Sequence, residues 1–198
     1  MTSGQERTQH RRQRIEEVLR RRQPDLTVVL ENVHDPHNVS AVLRTCDAVG
    51  LLEVHLLYTV ESFPEISHRT SGSAYKWLIL QRHTDVSRCY TLLREQGFRI
   101  WATALTAQAE DIFTLDFTQP TALVFGNEHR GVSEEARCLA DGICWIPQVG
   151  MVQSLNISVA CAVTLYEAFR QRWNAGLYNH QRLPPELFQK LLQEWLQR

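Results

Sequence analysis

Residues 26–48 read LTVVLENVHDPHNVSAVLRTCDA. Leu26–Glu31 is a short, mostly apolar run, the pattern of a strand buried on both faces. From Asn38 the period changes. Val39, Val42, Leu43 and Cys46 fall on one face of a helix running to Ala48, and Gly50 stops it. A buried strand, a polar loop and an amphipathic helix are the opening unit of a doubly wound α/β sheet.

The alternation continues downstream. Strands are expected at Glu53–Tyr58, Lys76–Gln81, Phe98–Leu105, Thr121–Phe125 and Gly142–Ile146, with helices at about Asp85–Gln96 and Ser133–Leu139. Gln153–Trp173 reads as one long helix, its first half apolar nearly all round and therefore deeply buried. Upstream, Ile15, Val18 and Leu19 stripe a basic helix that Pro24 ends. Pro184-Pro185 opens a last helix striped by Leu187, Phe188, Leu191, Leu192, Trp195 and Leu196, whose obvious partner is the first. The organisation expected is a basic helical extension over 1–24, one α/β domain over 25–176 and a helical extension over 177–198.

Of the 198 residues 43% are hydrophobic and 22% charged, so the chain folds rather than staying disordered. Its net charge of −1 gives no general affinity for nucleic acid, but residues 1–22 hold seven arginines against three glutamates. That cluster is either a phosphate-binding patch or a solvated helix face. The five cysteines form no C-x-x-C pair and no His/Cys run has zinc spacing, so free thiols in a reducing compartment and no metal are expected. No signal peptide and no membrane span are expected.

Three polar segments follow buried strands, where ligands bind in open α/β sheets. In the first, Asn38 and Arg44 are six residues apart and do not share a helix face. Asn38 is either a helix cap or a site residue, and Arg44 either a surface cation or a reactive-site group. In the second, Gly126 and Gly131 bracket Asn127-Glu128-His129-Arg130, which is either an ordinary loop or a close backbone approach to a ligand. The third runs from Ile146 through Gly150 to Ser154, Leu155 and Asn156, where capping of a buried helix competes with ligand binding. There is neither a P-loop nor a G-x-G-x-x-G, so no NTPase or dinucleotide site is indicated.

In order, N-x-x-x-x-x-R, F-G-N-E-x-x-G and I-P-x-x-G-x-x-x-S-L-N-x-S-V-A resemble the three motifs of the SpoU/TrmH family of RNA 2′-O-methyltransferases. The similarity runs from about Arg14 to the last helix. It implies a SPOUT fold: a mostly parallel sheet flanked by helices, with a deep C-terminal trefoil knot. It further implies S-adenosylmethionine as methyl donor, a homodimer, a cytoplasmic location and tRNA as partner, methylated on the ribose of the D-loop guanosine at position 18. Another tRNA nucleotide, rRNA, or an inactive knotted RNA-binding protein are the alternatives.

Residue by residue, the resemblance implies catalytic roles for Arg44, Asn38, Ser154, Glu128 and Asn156. Arg44 activates the nucleophile, Asn38 and Ser154 hold the active geometry, Glu128 secures an arginine, and Asn156 orients the cofactor loop. Cofactor contacts are implied for Thr103, Gly126, Ile146, Ser154 and Leu155, and RNA contacts for Arg22, His37, Arg170 and Arg172. Asp35, His129-Arg130 and the stretch Tyr58–Gly72 depart most from the pattern. Arginine stays protonated in proteins, so Arg44 is read as stabilising a developing oxyanion rather than as a base.

Overall fold

The structure is a computed structural model that describes residues 2–64 and 74–198. The side chain of Arg7 and the latter part of Tyr58–Gly72 lie outside the described residues. In chain order the elements are α1 (Thr2–Arg20), β1 (Leu26–Glu31), α2 (Pro36–Ala48), β2 (Glu53–Leu57), a 3-10 turn (Ala74–Trp77) and β3 (Ile79–His83). There follow α3 (Val86–Glu95), β4 (Arg99–Thr103), β5 (Glu110–Asp111), β6 (Thr121–Phe125) and α4 (Glu134–Leu139). The chain ends with β7 (Gly142–Trp145), α5 (Ile157–Asn174) and α6 (Pro185–Leu196).

Seven strands form one parallel sheet in the order β3-β2-β1-β6-β4-β7-β5. All six residues of β1 are buried because it sits between β2 and β6 with helices on both faces. The period-2 alternation of a strand then divides its side chains between two cores. Val28 and Leu30 pack with Val39, Leu43 and Leu165 under α2 and α5, while Val29 packs with Val86, Tyr90 and Ala136 under α3 and α4. The order reverses between β1 and β6. Their carboxyl ends open into the crevice where ligands of such sheets bind.

Two elements start three or four residues later than expected. Trp77 belongs to a 3-10 turn, and β3 begins at Ile79. An apolar run such as Trp77–Leu80 carries no periodicity to place its ends. The Trp77 ring packs edge-on against Trp195 at 5.2 Å, which holds this turn out of the sheet. The long helix begins at Ile157, not Gln153. Asn156 is its N-cap, accepting from the Ser158 amide, and Ser154 and Leu155 remain in the loop.

The terminal helices pair as expected. Ile15 and Leu19 of α1 share a third core with Phe188, Leu191, Leu192 and Trp195 of α6. The apolar stripe of α6 is therefore covered within the chain and does not itself call for a second subunit.

Arg22 and Arg172 correct the expectation of RNA contacts at these positions, because both are fully buried. Arg22 ion-pairs with Asp47, donates to the carbonyls of Leu51 (2.6 Å) and Trp77 (3.0 Å), and stacks over Trp195. Arg172 pairs with Asp25 and donates to the carbonyls of Phe117 (2.8 Å) and Gln119 (3.0 Å). Neither guanidinium can reach a phosphate. Both tie separate segments to the domain, and burial lowers the pKa of each against the pull of its aspartate.

Candidate active site

At the carboxyl ends of β4, β6 and β7 lies a cleft of about 580 Å³. Its wall includes Thr103, Gly126, Glu128, Ile146, Ser154, Leu155 and Asn156. The second and third sequence segments thus meet at one opening, beside the end of β4. The volume is that of an ordinary small-molecule site.

The first segment reaches the cleft through Glu128. Its carboxylate accepts from the backbone N–H groups of His34 (2.9 Å) and Asp35 (3.1 Å) and from Asn38 Nδ2 (2.8 Å). Asn38 Oδ1 in turn accepts from Asn156 Nδ2 at 3.1 Å. This chain of amides and one carboxylate locks the three motifs into one unit. Burial works to raise the Glu128 pKa, but the bonds from Asn38 and the two amides outweigh it and hold the carboxyl below its usual range. Glu128 is therefore ionised near neutrality.

Several roles come out differently from the expectation. Glu128 holds Asn38 and the loop after β1 rather than an arginine. Asn38 is not the helix cap: Asp35 caps α2, and Asn38 turns inward to Glu128 and Asn156. Asn156 caps α5, as the capping alternative has it, and also bonds Asn38. Arg44 stands exposed on α2, outside the cleft wall, with no ion pair among the described residues. His37 is exposed at the start of α2. Arg170 is exposed and paired with Glu167 along α5.

Gly126 explains why the second segment needs glycine. A Cβ there would lie 2.1 Å from the Gly131 carbonyl carbon and the Val132 nitrogen. The strand end folds directly against the backbone that returns from the Asn127–Gly131 bridge. Gly126→Ala should therefore prise the loop open, cost about 1–3 kcal/mol as an overpacked site does, and lower Tm by several degrees. Thermal denaturation with and without cofactor would show it as a lower Tm and a smaller ligand-induced rise.

Sequence reasoning missed three contributors. Asn32, at φ 49°, accepts from the amides of Thr59, Val60 and Glu61 and so fixes the loop after β2. Asn127 donates to the Asn32 carbonyl at 2.8 Å and ties the two loops together. Arg137 of α4 joins the cleft wall. A positive φ favours Asn, so Asn32 after a strand carried a faint signal. Arg137 carried none.

The cleft suits S-adenosylmethionine. Buried Arg137 Nε and Gln148 Oε1 have no partner among the described residues, leaving a donor and an acceptor at a wall that also offers the apolar side chains of Ile146 and Leu155. Such orphaned atoms at a cleft are met by a ligand or ordered water.

The family model described as the SpoU rRNA Methylase family matches residues 25–166. The chain belongs to the SpoU methylase family. It is 58% identical over 193 residues to the tRNA (guanosine(18)-2′-O)-methyltransferase of Thermus thermophilus, covering 98% of this chain and 99% of that one. Among solved structures it resembles the TrmH/SpoU tRNA modifying enzyme of A. aeolicus, with TM-score 0.90, 39% identity and 96% of each chain covered. The SpoU methyltransferase AviRb of Streptomyces viridochromogenes, solved in complex with the cofactor AdoMet, matches with TM-score 0.69 and 28% identity over 76% of this chain and 59% of that one. Asn38, Glu128 and Asn156 join the start of α2 to the two segments that line the cleft.

Proposed function

We propose that the protein transfers a methyl group from S-adenosylmethionine to the ribose 2′-hydroxyl of guanosine 18 in the tRNA D-loop. One observation carries the reading: the second and third motifs line one cleft, with the first bonded to them through Asn38, in a chain that aligns almost end to end with a relative named for that reaction. Thr103, Gly126, Ile146, Ser154 and Leu155 hold the cofactor. When bound, it supplies the electrophilic methyl carbon.

The protein's share is orientation and electrostatics. Glu128 and Asn156 fix Asn38, and with it the start of α2. Arg44, carried on that helix, stabilises the charge that develops on the ribose 2′-oxygen. Ser154 shapes the loop that faces it.

Since Arg44 lies outside its own chain's cleft wall, the working unit is a homodimer in which Arg44 serves beside the partner's cofactor loop. The surface supports this. Val159, Tyr166 and Trp173 of α5 are exposed, and Val149 and Met151 in the preceding loop are fully so. Apolar patches of this kind mark interaction surfaces. Sedimentation equilibrium at micromolar concentration should give a mass twice 22.9 kDa. A monomer with full activity would refute the dimer.

β7 is inserted between β4 and β5, so the 104–109 connection crosses over it. This arrangement supports the trefoil knot the family implies. No helix of the described residues is long and apolar enough to cross a membrane, and we place the protein in the cytoplasm with its tRNA.

The RNA face is built from Arg20, Arg21, Arg170 and His37, all exposed. Arg11 is partly committed, donating to the Leu196 carbonyl at 2.8 Å, and Arg12 pairs with Glu16. Replacing Arg20, Arg21 and Arg170 with Gln together should flatten the slope of log K against log salt by about 2–3, at about 0.7–0.9 per lost phosphate contact. An unchanged slope would make these arginines a solvated face. The substrate class is tested by transfer of labelled methyl to unmodified tRNA transcripts beside a 23S rRNA transcript. Label in tRNA alone is expected, and label in rRNA alone would overturn the reading.

A further inference from the structure

Away from the cleft, three potential metal ligands converge where β2, β3 and α3 meet. His55 points from β2 toward the α3 face of the sheet, His83 ends β3, and Cys89 lies one turn into α3. One donor atom from each lies within 4.8 Å of the other two. His55 Nδ1 is 2.9 Å from His83 Nε2, and the rings stack at 25°. His55 and Cys89 have no exposed surface. None of the three lines the cleft.

His55 Nε2, the ring nitrogen that faces away from this pair, is buried with no partner among the described residues, so no second hydrogen bond fixes the ring. Two imidazoles and a thiol, with no carboxylate among them, form a nitrogen–sulfur donor set that suits zinc rather than magnesium or calcium. A groove of about 510 Å³ opens beside His83, between Arg82, Asp85, Arg88 and Glu95, and gives an ion and a water ligand a way in.

We propose that His55, His83 and Cys89 form a binding site for a zinc-type divalent cation, with water from the groove as fourth ligand. Zn–N bonds of about 2.0–2.1 Å and a Zn–S bond of about 2.3 Å put tetrahedral ligand atoms about 3.3–3.7 Å apart. The present separations, 2.9 Å at the His pair and up to 4.8 Å overall, bracket that range. Coordination opens the short edge and closes the long one. The site staples the edge of the sheet to α3.

The protonation states agree. Burial, with His83 adding to it, holds His55 down to about 4, and burial lowers His83, so both rings are neutral ligands at pH 7. Burial, with Asp85 adding to it, pushes the Cys89 thiol up to about 12. The metal must therefore displace the thiol proton: Cys89–SH and M²⁺ give Cys89–S–M⁺ and H⁺, one proton per ion. Sequence spacing hides the site because its ligands come from three elements, against the expectation of no metal.

The test is a Co²⁺ titration of untagged, chelator-treated full-length protein under a non-thiol reductant. One equivalent should bind with a thiolate-to-cobalt charge-transfer band and tetrahedral ligand-field bands, release one proton, and be displaced by Zn²⁺. Cys89→Ser should abolish the charge-transfer band and Cys138→Ser should leave it. His83→Gln, at the half-exposed strand end, should weaken binding by at least about tenfold and decides the matter if Cys89→Ser does not fold. Absence of a thiolate band in the wild type, its survival in a folded Cys89→Ser protein, or unchanged affinity in His83→Gln would overturn the proposal.

Discussion

Arg44→Ala is expected to lower the single-turnover rate of methyl transfer by about 10²–10³-fold, the usual cost of removing one preorganised charge-stabilising donor. Its affinity for S-adenosylmethionine should stay within about twofold of the parent, because Arg44 is not among the residues of the cleft wall. Fold stability should hardly move, since the side chain is exposed and forms no ion pair among the described residues. Arg44→Lys should recover only part of the rate: an ammonium keeps the charge but not the planar fork of donors. Rapid-quench turnover and cofactor titration on the same preparations separate these effects. A mutant with the parent rate would remove Arg44 from the mechanism, and a mutant that failed to bind cofactor would place it in the cleft instead.

Arg172→Ala should act in the opposite way, through stability. It removes a guanidinium with no exposed surface and leaves the carbonyl of Phe117 without its donor, while that of Gln119 keeps the Thr121 hydroxyl. Breaking a buried, hydrogen-bonded ion pair costs about 3–5 kcal/mol, and because Asp25 keeps Arg182 the lower end applies, still a large part of the roughly 5–15 kcal/mol that holds a domain folded. Tm should fall by about 6–12 °C. Arg170→Ala, two residues away but exposed and paired only along its own helix, should change Tm by little more than a degree or two. Equal effects of the two substitutions on Tm, or an effect of Arg172→Ala on tRNA affinity alone, would contradict the buried placement.

The partner of Arg172 gives this interaction a pH dependence. Burial would raise Asp25, but hydrogen bonds and charge from Arg182 and Arg172 prevail and hold it below its usual range. A carboxyl depressed in the folded state contributes its stability above the unfolded pKa of about 3.9 and loses it as pH falls through the lower, folded value. The difference in stability between parent and Arg172→Ala should accordingly be full at neutral pH and shrink in acid below about pH 4.

Much of the architecture can be read from the sequence because its signals are local. Leu26–Glu31 and Thr121–Phe125 are continuous apolar runs, and the face of Val39, Val42, Leu43 and Cys46 repeats with helical period. Of the three motifs, Asn38, Glu128 and Asn156 are bonded as a unit, and Thr103, Gly126, Ile146, Ser154 and Leu155 line one cleft. What the sequence hides is long-range pairing. Nothing in a run of arginines tells that Arg20 and Arg21 face water while Arg22 turns inward to Asp47. Likewise, alternation along α5 does not tell that Arg172 meets Asp25, 147 residues away in the chain. The direction of the α6 stripe was legible, but not that α1, Leu52 and Leu183 suffice to cover it. His55, His83 and Cys89 escape notice for the same reason, since strand pairing rather than spacing brings them together.

The central claim is the position of the methyl group. Unmodified tRNA transcript, incubated with the protein and labelled S-adenosylmethionine and then digested to nucleotides and mapped, should carry one 2′-O-methylguanosine, at position 18. A transcript with 2′-deoxyguanosine at that position should carry no label. Label on a base, at another nucleotide, or undiminished in the deoxy transcript would contradict the account.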